Sequence, residues 1–274
     1  MPPRCVVTGS SGLVGAAVAA AVHTAGWAVR GIDRVPGRWT GVVGDLRDPA
    51  ARRAVLDGCD VLVHAAALHA PHVGRVGEAE FRAVNVDAME AVLHDAARAG
   101  VRRVVYISST SVYGHALVPT DRAVWVDEQL PPRPRDVYDR TKLAAERLVA
   151  AAGIPAVTLR IARCFPEPAP VLAVHLLHRA VGLADVAAAT AQVLRHDAVT
   201  GVFNIAGRYA FTRADCPALY RDAATLITER LPEVAAAFRD RGWPLPASLD
   251  RVYDSTAAGA AFGYRPVHGI DRLL

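Results

Sequence analysis

Short apolar runs rich in β-branched residues alternate with alanine-rich stretches through the first 160 residues, and this alternation constrains the chain most. It predicts strands over Arg4–Thr8 and Ala28–Asp33 and at 42–44, 61–65, 104–108 and 157–160. Helices are predicted between them at 12–25, 50–56, 78–99 and 138–152, the last two closed by Gly100 and Gly153. Strands apolar on both faces must be covered on both faces, which requires a doubly wound parallel α/β sheet. After Arg160 comes a proline-rich segment, then a predicted helix at 184–195, a strand at 202–205 and further helices. We therefore expect a Rossmann-type doubly wound domain over 1–158 and a small mixed lobe over 159–274, intergrown as one unit.

With 274 residues the chain has material for one large domain, and 52% hydrophobic residues exclude a disordered polymer. Its net charge of +4 is scattered, with no run of five like charges, so nucleic acid is not an expected partner. Residues 5–29 carry no charge, but Thr8, Gly9, Ser10, Ser11 and Gly12 interrupt them. That segment reads as strand, loop and helix, and no membrane span is expected. Cys5, Cys59, Cys164 and Cys216 lie far apart and read as reduced thiols of a cytoplasmic protein. His69/His72 and His175/His178 have no carboxylate at ligand spacing, so no metal site is expected.

Two constellations carry chemistry. The first, 8–15, reads Thr-Gly-Ser-Ser-Gly-Leu-Val-Gly and joins the first strand to the first helix. Gly9, Gly12 and Gly15 allow a tight turn, so backbone N–H groups, including that of Ser11, approach a pyrophosphate at a positive helix end. Asp33 ends the second strand, where a carboxylate accepts ribose hydroxyls and repels a 2′-phosphate. This favours NAD over NADP, with Arg34 beside it softening the choice. The second constellation is Tyr138 and Lys142, four apart and so on one helix face. There the ammonium is expected to lower the phenol towards neutrality and make it an acid/base. A strand ending in Ser108, Ser109, Thr110 and Ser111 precedes them, at the edge where such sheets bind ligands.

These motifs resemble the extended short-chain dehydrogenase/reductases, the NAD-dependent epimerase/dehydratase superfamily. The marks are TGSSGLVG at 8–15, Asp33, Asp45-Leu46, VLVHAAA at 61–67, Asn85-Val86, YISSTSVYG at 106–114, YDRTK at 138–142, LR at 159–160 and DSTAAGAAFGYRP at 254–266. The resemblance implies that Asp45 and Leu46 contact adenine and that Leu13, Ala65, Ala66 and Ala67 line the cofactor. It further implies that Asn85 positions the site from the helix beneath, and that Ser109, Tyr138 and Lys142 form the catalytic set. It also implies a homodimer, paired through the helices that carry Asn85 and Tyr138.

Departures narrow the reaction. Thr110 and Ser111 stand where similar 4,6-dehydratases carry an acidic pair, which argues against dehydration by that route. Arg163 replaces the Asn of similar nucleotide-sugar epimerases, and the short connection at 164–178 leaves little protein to hold a nucleotide. The stretch 159–168 resembles that of uronate dehydrogenases, although His69, Thr110 and Arg163 replace their small polar sugar-binding residues. Arg163 is expected either to pair with an anionic substrate group or to form a salt bridge with Glu167 or Asp185. The expected activity is NAD-dependent oxidation or reduction of a small polar alcohol, a sugar or a sugar acid. The alternatives are an epimerase that retains NAD and a non-catalytic dinucleotide-sensing protein.

Overall fold

The computed structural model describes residues 2–274. Seven strands form one parallel sheet: β1 (Arg4–Thr8), β2 (Ala28–Asp33), β3 (Thr40–Val43), β4 (Val61–His64), β5 (Arg103–Ser109), β7 (Ala156–Ile161) and β8 (Gly201–Ile205). Their order is β3-β2-β1-β4-β5-β7-β8. The order reverses between β1 and β4, and in such sheets the crevice outside the strand carboxyl ends at that reversal takes the ligand. Side chains alternate across the sheet as a period of two demands. Cys5 and Val7 of β1 join one buried cluster, whereas Val6 joins the other.

Helix α1 (Leu13–Thr24) and α7 (Leu183–Val193) supply buried residues to the first cluster, and α2 (Pro49–Leu56), α4 (Ala88–Arg98) and α5 (Val137–Ala151) to the second. Segment 5–29 is thus strand, loop and helix, as its hydroxyls and glycines require. No helix among the described residues is long and apolar enough to cross a membrane.

Two expectations need correction. The single helix at 78–99 is three pieces: α3 (Glu78–Arg82), a π-helical turn (Ala83–Asp87) and α4. The wider turn lies where the buried Asn85 side chain bonds the backbone of Leu68 instead of facing its own helix. Such turns recur at functional sites. The boundary expected after 158 falls inside β7, because β7 and β8 pair in register and complete the main sheet. The lobe's separate core instead draws on both halves of the chain. It combines α6 (Ala169–Leu176), α8 (Cys216–Arg230) and α9 (Pro232–Asp240) with a two-stranded sheet of β6 (Val124–Val126) and β9 (Arg251–Tyr253). Helix α10 (Thr256–Phe262) returns to the first cluster through Ala258 and Phe262.

Candidate active site

Backbone builds one end of the cleft. Gly9 has φ +69°, and a Cβ there would lie 2.9 Å from the backbone of Ala66; one on Gly15 would lie 2.0 Å from the carbonyl oxygen of Gly9. Only glycine lets β1, the loop and α1 approach this closely. Thr8 Oγ1 accepts from the amides of Ala65 (3.1 Å) and Ala66 (3.2 Å) and bonds His64 Nδ1 at 3.1 Å, tying the ends of β1 and β4 together. Burial pulls His64 down to about 3, so its ring is neutral.

The residues present fit a dinucleotide. The N-cap of α1, Gly12, supplies no side-chain hydrogen bond, and the first turn carries no acidic residue. The positive helix end, with no acidic residue in its own first turn, therefore faces a cleft of about 380 Å³. Gly9, Gly12, Leu13 and Gly15 line this cleft from the loop, and Asp33 and Arg34 from the end of β2. Asp45 and Leu46 line it beyond β3, and Ala65, Ala66, Ala67 and His69 beyond β4. Asp33 Oδ2 accepts the amide of Ser11 at 3.0 Å, so Ser11 steadies the carboxylate rather than lining the cleft. Arg47 pairs with Asp45 at 2.7 Å and holds that carboxyl below its ordinary range.

Side chains build the other end. Tyr138 and Lys142, from α5, line the cleft. Ser109 ends β5, and its Oγ accepts the amide of Ser111 at 3.1 Å, capping the turn that follows. Burial pushes the Tyr138 phenol up to about 12, and the Ser109 hydroxyl opposes that rise. Lys142 is 3% exposed, and burial pulls it down to about 7. Its Nζ donates to the carbonyl of Ile107 at 2.6 Å and sits 4.3 Å from the ring centre of Tyr106. The expected lowering of Tyr138 by Lys142 is therefore absent from this state. Desolvation dominates, disfavouring charge on both groups and making the ammonium the stronger acid.

Asn85 reaches the cleft through its neighbours. Its side chain exchanges hydrogen bonds with the backbone of Leu68 (2.8 and 2.9 Å) and donates to Thr141 Oγ1 at 3.1 Å. It thereby ties the loop after β4 to the residue preceding Lys142. Thr110 is buried and does not line the cleft. Arg163 pairs with Glu167; Asp185 instead accepts from the amides of Val267 (3.1 Å) and His268 (3.0 Å) and bonds the ring of His268. His69 stacks on Phe165, with ring centres 5.5 Å apart and planes 9° apart. Phe165 lines the cleft and was not anticipated; its place in the proline-rich segment gave no periodic signal. A stronger signal was readable and missed: Lys142 is the only lysine in the chain, which otherwise meets every need for positive charge with 30 arginines. Arginine keeps its proton in proteins, so only a lysine can titrate at this position.

Known proteins sharpen this picture. Residues 5–169 match the profile of the NAD dependent epimerase/dehydratase family. A 3 beta-hydroxysteroid dehydrogenase/Delta 5-->4-isomerase of Mycobacterium tuberculosis is 37% identical over 160 residues, covering 54% of this chain and 42% of that protein. A UDP-glucose 4-epimerase of Streptomyces lividans is 30% identical over 174 residues, covering 58% and 51%. The chain thus spans about half the length of the curated relatives it matches. A short-chain dehydrogenase/reductase superfamily protein from Agrobacterium tumefaciens, solved with bound NAD, superposes with a TM-score of 0.74 at 23% identity, covering 99% of this chain and 94% of that one. The fold is therefore that of these enzymes. With more than half its length matched and a glycine-rich helix end open to a dinucleotide, the chain belongs to the NAD dependent epimerase/dehydratase family.

Proposed function

We propose that this protein is an oxidoreductase that moves a hydride between NAD and the secondary alcohol or carbonyl of a small polar substrate, a sugar or sugar acid, held by no nucleotide. One observation carries the reading. Tyr138 and Lys142 line the same cleft as the uncapped end of α1, and the Ser109 hydroxyl favours the charged form of the Tyr138 phenol. NAD, when bound, supplies the hydride acceptor. In the oxidative direction Ser109 hydrogen-bonds the substrate oxygen while Tyr138, as phenolate, takes the hydroxyl proton. Lys142, which lines the cleft on the same face of α5, stabilises that phenolate while it is charged. Asp33 supports NAD over NADP.

The decisive variant is Tyr138→Phe, tested against hexuronic acids, aldoses and hydroxysteroids for NADH formation. It is expected to abolish turnover while calorimetry gives an NAD affinity within about threefold of wild type, since one phenolic hydroxyl is lost from a large site. Retained turnover would refute the assignment.

A second reading, in which the same residues oxidise and re-reduce one substrate, draws support from the similarity to the Streptomyces lividans epimerase. Copurifying NAD with no net NADH on any substrate would select it. The intact Ser109, Tyr138 and Lys142 speak against a dinucleotide sensor, which needs no proton-transfer set. A homodimer through the helices that carry Asn85 and Tyr138, and a reducing cytoplasmic setting for four free cysteines, complete the proposal.

A further inference from the structure

Behind the cleft lies a buried polar cluster that the reaction does not use. Glu146 follows Lys142 by four residues and Tyr138 by eight, on the same face of α5. Its carboxylate accepts from Ser108 Oγ at 2.5 Å and from Arg160 at 3.0 Å (Nε) and 2.7 Å (Nη2). Arg160 Nη1 donates to the hydroxyl of Tyr113 at 3.1 Å; that hydroxyl in turn donates to Asn204 Oδ1 at 2.8 Å. The cluster thus ties α5 to β5, β7 and β8, and Ser108 is the residue just before Ser109.

The side chains of Glu146 and Arg160 are only 6% and 7% exposed. Burying an ion pair is a poor way to gain stability, because desolvation cancels most of the attraction and an apolar pair of similar size serves as well. The pair therefore calls for another explanation, and its position supplies one.

We propose that Glu146 is a positioning residue. Clamped by Arg160 and Ser108, its carboxylate locks the helix that bears Tyr138 and Lys142 to the strand that bears Ser109, and it supplies the fixed negative charge behind Lys142. The inference rests on the reading of the cleft given above. The groups facing Lys142 are few. Glu146 and Tyr138 share its helix, the neutral His64 approaches from β4, and the ring face of Tyr106 from β5. His69 acts on it from the loop beyond β4, and Arg160 of β7 stands behind Glu146. Among these only Glu146 brings a negative charge that resists the desolvation of the ammonium.

Because the chain has a single lysine, protein grown with [ε-13C]lysine gives one side-chain signal, whose chemical shift against pH titrates Lys142 with no substrate needed. Glu146→Gln keeps the shape and removes the charge; its Lys142 midpoint is expected to fall by about one pH unit or more, the usual scale for losing a nearby opposite charge. The double variant Glu146→Met with Arg160→Met leaves no lone buried charge, so it guards against failure to fold, and its midpoint is expected to fall as well. A midpoint unchanged in either folded variant, or a wild-type midpoint at the free-lysine value of about 10.4, would overturn the proposal. A structural role alone would change melting behaviour and leave the midpoint in place. If Tyr138→Phe keeps full turnover while the midpoint moves, the functional reading fails and this one survives. If turnover is lost while the midpoint stays, only this inference fails.

Discussion

The two ends of the cleft are made of different material. At the dinucleotide end the shape is set by backbone: Gly9 and Gly15 leave no room for a Cβ, and the ends of β1 and β4 are joined through Thr8. At the far end it is set by side chains, namely the stack of His69 on Phe165 and the pair of Tyr138 and Lys142. A backbone wall tolerates almost no substitution and serves one ligand. A side-chain wall can be re-cut while the fold stays, and there substrate choice can change.

This contrast can be broken at several points. The largest effect is expected from Gly15→Val, whose added atoms would overlap the carbonyl of Gly9. NAD affinity measured by calorimetry should fall by about 100-fold or more, or folding should fail. Near-normal binding would mean that the loop is not built as described.

Next comes Lys142→Met, expected to lower turnover by about 10²–10⁴-fold. It also carries a pH signature. Burial pulls Lys142 from 10.5 to about 7, so between those values the unfolded chain binds more protons than the folded one. Wild-type stability should then rise with pH across this window, because the cost of a buried ammonium is fully present below about 7 and fades towards 10. The difference in melting temperature, variant minus wild type, should be greatest near pH 6 and shrink by pH 10. A constant difference would argue that Lys142 is not desolvated.

Asp33→Asn should narrow the preference for NAD over NADP by about tenfold in steady-state kinetics with both cofactors, since the carboxylate that repels a 2′-phosphate is gone. The smallest effect is expected from Arg163→Ala. Its partner is close, but the arginine side chain is about half exposed, so unfolding stability in urea should change by less than about 1 kcal/mol. Substrate KM, in contrast, should rise if Arg163 meets an anionic group. Unchanged KM for every acidic substrate would reduce Arg163 to a surface contact.

The backbone end was also the legible end. Its glycine spacing, the aspartate that ends β2 and the alternation of strands with helices are local patterns, and local patterns survive in sequence. The strands β1 and β2 were read to the residue and the other strands of the main sheet within two residues at each end, whereas β6 and β9 gave no signal. What escaped was non-local or non-periodic. The π turn at Asn85 leaves the spacing of the buried Phe81, Val86, Met89 and Leu93 close to that of one continuous helix. A division after 158 followed a change in texture, whereas the pairing of β7 with β8 ignores it. Spacing also reports that Lys142 lies near Tyr138 and says nothing of the desolvation that burial imposes on both.

The solitary lysine has one more consequence. A reagent that seeks side-chain amines finds a single target in this protein, at the floor of the cleft and held against the carbonyl of Ile107. Its rate of attachment becomes a meter of how often that floor is uncovered. Protection by an added compound would then report occupancy, so ligands could be sorted before any reaction has been observed.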